Sequence, residues 1–104
     1  TYCYVIDVVS ALFKVLCVGK SGEIYNISNI SSVASIAEVA KICAEIAGTE
    51  VVFDIPDAVE ARGFSQSKNC ILDNRKIQEL GWTGKYSLRD GLEETLECLK
   101  RRVY

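Results

Sequence analysis

Residues 1–28 read TYCYVIDVVSALFKVLCVGKSGEIYNIS. Tyr2-Cys3-Tyr4-Val5 is aromatic and β-branched, which predicts a short strand. Asp7 has the chemistry of an N-cap, and residues 8–18 follow as a helix stopped by Gly19. Lys20-Ser21-Gly22 reads as a turn and residues 23–28 as a second strand. Between Val8 and Val18 only Ser10 and Lys14 are polar. A helix apolar all round is normally buried on more than one side. A chain of 104 residues has little core in which to do that. Two readings stay open: a neighbour covers this helix, or it is a plain core helix with one loosely covered face.

Outward from that stretch, residues 29–32 form a polar loop. Ser35-Ile36-Ala37-Glu38 is a capping box, and the helix it opens runs to Ala47 before Gly48. Ile36, Val39, Ala40, Cys43, Ile46 and Ala47 fall on one face of it. Residues 50–55 predict a strand ended by Pro56. Residues 57–70 have no period and make a long loop, the kind that often carries function. Asp73 caps a helix over 74–80. Gly81 follows as its left-handed stop, and Trp82 folds back on Ile77 as a packing anchor rather than a ligand platform. Ser87 and Asp90 open a last helix to about Arg102, with Leu88, Leu92, Leu96 and Leu99 inward. The pattern predicts one α/β domain, α+β-like: a small helix-rich lobe with a few short, mainly parallel strands.

Composition excludes several classes. Twelve basic against fourteen acidic residues give a net charge of −2, which offers nucleic acid no electrostatic footing. The cationic end Lys100-Arg101-Arg102 suits a helix C-terminus. Five widely spaced cysteines and no histidine complete neither a zinc site nor a Cys–His pair. That cysteine usage fits a reducing, cytoplasmic setting, with most of the five serving as small core residues. The run 8–18 is about half the length that crosses a bilayer, so no membrane is expected. No GxGxxG follows a strand, so no dinucleotide cradle, cofactor site or catalytic residue is read here.

An ordered set of short motifs nevertheless stands out: residues 2–7 with Val8-Val9-Ser10-Ala11-Leu12, then Gly22-Glu23-Ile24-Tyr25-Asn26-Ile27, Ser35-Ile36-Ala37-Glu38-Val39-Ala40, and Leu80-Gly81-Trp82. Together they resemble the C-terminal part of extended short-chain dehydrogenases/reductases, the NAD-dependent nucleotide-sugar epimerases and dehydratases. The resemblance implies that residues 1–28 flank a missing N-terminal Rossmann domain and that 29–104 form a substrate lobe. It implies NAD bound in the parent and none to this portion, and an isomerase or dehydratase reaction that this portion does not run alone. It also implies a nucleotide-sugar diphosphate as substrate.

The family's diphosphate-binding Arg, two residues before the aromatic at Tyr2, falls ahead of Thr1. A second family Arg has its nearest match in Arg62, eleven residues before Asp73, with Lys68 as a further candidate. A guanidinium fork suits a diphosphate, and the competing reading of Arg62 is a solvated loop charge. Tyr2 either lines the site or packs. Ser28 stands where the family often has Gly, and Gly84 where Pro is common after Gly-Trp. The rival reading is a stand-alone interaction domain that associates through the apolar helix 8–18, as a homo-oligomer or with a separate partner.

Overall fold

The computed structural model describes residues 1–63 and 69–101, so Lys68 lies outside the described residues. Four α-helices follow in chain order: α1 (Val5–Val18), α2 (Ile36–Ala47), α3 (Arg75–Glu79) and α4 (Leu88–Arg101). A 3-10 turn covers Glu60–Gly63. Among the described residues there is no strand, which overturns the α/β expectation with its short parallel strands. The physical reason is visible at the backbone. A ladder needs a second edge to pair with. The amides of residues 24–28 and 50–55 meet no acceptor among the described residues. Tyr2 makes two backbone bonds, donating to the Ser32 carbonyl at 2.9 Å and accepting from the Asn29 amide at 3.4 Å. Val5, predicted in the first strand, opens α1 instead.

The caps read from sequence hold at α2. The Ser35 hydroxyl accepts the Glu38 amide while the Glu38 carboxylate accepts the Ser35 amide, and Gly48 ends the helix at φ 69°. The start of α4 uses the same device, with the Asp90 amide donating to the Ser87 hydroxyl at 3.1 Å and the Asp90 carboxylate accepting in return. Gly81, at φ 83°, carries the chain out of α3 and turns Trp82 onto Ile77. Trp82 is therefore the predicted anchor: it is buried with Ala11 and Ile77, and its indole N–H donates to the Ser10 hydroxyl at 2.9 Å.

Asp7 is not the α1 N-cap; Tyr4 holds that place. Asp7 is buried instead, and its carboxylate accepts the Lys85 and Tyr86 amides at 3.0 Å. This fixes the segment leading into α4 against the start of α1. Asn29 fastens the same segment by donating to the Tyr86 carbonyl at 2.8 Å. The Tyr86 ring lies 4.7 Å from that of Tyr4. Gly84 passes so close that a Cβ there would meet the Asn29 amide nitrogen at 2.9 Å and Asp7 Oδ2 at 3.2 Å.

Helices α2 and α4 pack together, and Arg89 of α4 bridges Glu45 of α2 at 3.0 Å and Glu93 at 3.1 Å. The inner face of α2 is rotated from the predicted one: Ile36 and Ala47 are exposed, while Ile42 and Ala44 join Val39, Ala40, Cys43 and Ile46 in partial burial. Leu99 of α4 is also exposed. Three of the five free cysteines, Cys17, Cys70 and Cys98, lie on the surface, against the expectation of small core residues.

The chain does not close on itself. Its radius of gyration is 16.8 Å, against about 13 Å for a compact chain this long. It exposes 8290 Å², roughly 2,500 Å² more than a compact monomer of its mass. Much of the excess is apolar. Val5, Ile6, Val9, Leu12, Phe13 and Leu16 run along α1 as one exposed stripe, with Leu16 80% exposed. Ile24, Val52 and Ile55 are exposed beyond 80%. No helix among the described residues is long and apolar enough to cross a membrane.

Candidate functional site

The N-terminal segment, the entry to α2 and residues 69–71 enclose a cleft of about 860 Å³. It is lined by Thr1, Tyr2, Val33, Ala34, Ser35, Ile36, Glu38, Asn69, Cys70 and Ile71. The volume lies in the range of small-molecule sites. The walls are held by long-range contacts, because the Leu72 amide donates to the Thr1 hydroxyl at 3.2 Å and the Ser28 hydroxyl donates to the Leu72 carbonyl at 2.8 Å. Asn74, buried, donates to the Ser28 carbonyl at 2.7 Å. Its amide oxygen has no partner among the described residues. Ser28, where a glycine was the commoner expectation, thus ties the cleft's back wall to the entry of α3.

Tyr2 lines this cleft, and it also lines a second, mostly apolar groove of about 370 Å³ against Leu88, Gly91, Leu92 and Thr95 of α4. Arg62 is exposed on the 3-10 turn and is not among the residues lining the cleft. Its turn is built by Asp57, whose carboxylate accepts the Val59 amide at 2.8 Å and the Glu60 amide at 2.9 Å. Those amides hold the Asp57 carboxyl below its usual range.

Among the described residues of the cleft lining, Glu38 carries the one charged side chain. The sequence reading saw it as a cap alone. Hydrogen bonds from the Ser35 amide and hydroxyl to Oε2, at 2.6 and 2.8 Å, lower its carboxyl's pKa, so it is ionised at neutral pH. Oε1 has no hydrogen bond among the described residues. Outside the cleft lining, the Asp73 carboxyl is held to about 2 by the Arg75 guanidinium and amide, and Lys76 pairs with Glu23. These neutralised pairs offer no free charge to a ligand. Among the described residues no group of three or more acidic, cysteine or histidine side chains forms a metal centre.

No protein-family model matches the chain, and no solved structure does. Curated relatives do. The chain is 30% identical, over 93% of its length, to the trifunctional UDP-glucose 4,6-dehydratase/UDP-4-keto-6-deoxy-D-glucose 3,5-epimerase/UDP-4-keto-L-rhamnose-reductase of Arabidopsis thaliana. It is 30% identical, over 99% of its length, to the dTDP-D-glucose 4,6-dehydratase of Bos taurus. It is 33% identical, over 92%, to the low-salt glycan biosynthesis protein Agl12 of Haloferax volcanii. The chain spans only 14% of the first of these and 30% of each of the other two. Over nearly all of its length, then, this chain is similar to part of larger proteins, among them nucleotide-sugar dehydratases and an epimerase.

Proposed function

We propose that the chain is the C-terminal, nucleotide-sugar-binding portion of an NAD-dependent epimerase or dehydratase of the extended short-chain class, and that alone it turns nothing over. The observation that carries the reading is the similarity to UDP-glucose and dTDP-glucose dehydratases along almost the whole chain. The size of the cleft at Tyr2 supports it. In this reading residues 1–28 flank the nucleotide-binding domain and 29–104 form the substrate lobe. Tyr2 lines the ligand, while Arg62 and Lys68 reach the diphosphate from the 57–70 loop, where a guanidinium takes two phosphate oxygens at once.

NAD belongs to the other portion of the enzyme. When bound there it supplies a hydride acceptor. The task left to this chain is to bind and orient the sugar nucleotide. Five free cysteines support a cytoplasmic setting. Calorimetry with UDP-glucose and dTDP-glucose tests the reading. The wild type should bind, and Arg62→Ala should weaken binding about tenfold, the worth of one charge-assisted contact. Equal affinity in the variant removes Arg62 from the site.

The exposed stripe on α1 favours a second reading, a protein-interaction domain that associates through residues 8–18, as a homo-oligomer or with a partner.

A further inference from the structure

We infer that Glu38 reads ligand hydroxyls and fixes the direction in which a sugar nucleotide lies in the Tyr2 cleft. The inference rests on the nucleotide-sugar reading above and adds a residue to it. Glu38 is the one charged side chain among the described lining residues, at the α2 end of an 860 Å³ space. Oε2 is taken by the Ser35 amide and hydroxyl. Oε1 accepts nothing among the described residues. A carboxylate oxygen can accept two hydrogen bonds, so Oε1 can accept one from each hydroxyl of a vicinal diol.

An ionised carboxylate also repels phosphate, and no cationic side chain stands beside Glu38 among the described lining residues. The diphosphate therefore lies at the end of the cleft away from α2, toward residues 69–71, and the polyol lies at Glu38. Val33, Ala34, Ile36 and Ile71 give the lining its apolar surface, and Thr1, Tyr2 and Asn69 add uncharged polar side chains to it. The diol has two sources in these ligands, the ribose and the hexose. UDP carries only the ribose diol; dTDP-glucose, a deoxyribonucleotide, carries only the hexose diol; UDP-glucose carries both.

Glu38→Gln separates reading from folding. Gln serves the capping box as Glu does, so α2 should stay intact by circular dichroism. Calorimetric titrations of wild type and Glu38→Gln are run with UDP-glucose, dTDP-glucose, UDP, dTDP and inorganic pyrophosphate. The variant should bind UDP-glucose about tenfold more weakly, the loss of one charge-assisted contact. Pyrophosphate affinity should stay level or rise. A loss with dTDP-glucose but not UDP assigns the hexose to Glu38, and a loss with UDP but not dTDP-glucose assigns the ribose. If the wild type binds UDP-glucose and the variant binds it equally or more tightly, Glu38 reads no hydroxyl and only this inference fails. If the wild type binds none of the five, the nucleotide-sugar reading fails and takes this inference with it.

Discussion

Asp7 shows how a residue can be legible as chemistry and illegible as place. Its short carboxylate suits a helix entry, which is why the sequence suggests a cap. The structure sends both oxygens to amides 78 and 79 residues away. No local pattern carries a contact of that separation. Asp7→Ala leaves two part-buried amides without their acceptor and should destabilise the fold by about 2 kcal/mol, read by urea denaturation. Gly84 was likewise seen only as a departure from a family habit. Its reason is space, since a methyl group would press into Asn29. Gly84→Ala should cost about 1–3 kcal/mol as an overpacked contact.

Asp73 makes a pH prediction. Its pKa is lowered from 3.8 to about 2 in the folded chain. A lowered carboxyl stabilises the fold fully above its unfolded pKa and progressively less as the pH falls below it. Stability from this group should therefore persist above pH 3.8 and fade toward pH 2. An NMR titration of the side-chain carboxyl should show a midpoint near 2, and Arg75→Gln should return it toward 3.8.

At the scale of elements, what the sequence made legible was local and what it hid was not. The Ser35–Glu38 box, the Gly48 and Gly81 stops and the Trp82 anchor all depend on residues a few positions apart, and each stands as read. The strands depended on a partner edge. Residues 23–28 keep the alternation of a strand, with Tyr25 and Ile27 against the core and Ile24 outward, yet the amides of 24–28 pair with nothing described. β-prone composition states what a segment suits, not that its partner is present. The candidate site was half legible. Tyr2 lines the cleft, Arg62 stands on a turn outside the lining, and Glu38 was hidden behind its role as a cap. Ser35→Ala should lower stability by about 1 kcal/mol through the lost cap, measured as a shift in the thermal midpoint.

At the scale of the molecule, the buried apolar core is small, Ala11, Ile77 and Trp82 with a few half-buried neighbours. A buried polar set, Asp7, Ser28, Asn29, Ser32 and Asn74, surrounds it. Such a chain is ordered more by specific hydrogen bonds than by burial, and it leaves the α1 stripe bare. An exposed stripe of that length drives association. Sedimentation should show concentration-dependent association, and Phe13→Glu with Leu16→Glu should abolish it. A wild type that stays monomeric at high concentration would count against the stripe as a contact surface.

The central claim is that this chain binds the sugar nucleotide. Its most direct test is calorimetric titration of the protein with UDP-glucose and dTDP-glucose, repeated with excess pyrophosphate. Binding should be saturable, at one site, and competed away by pyrophosphate. Absence of binding to both sugar nucleotides, from a sample whose circular dichroism shows the four helices intact, would contradict it.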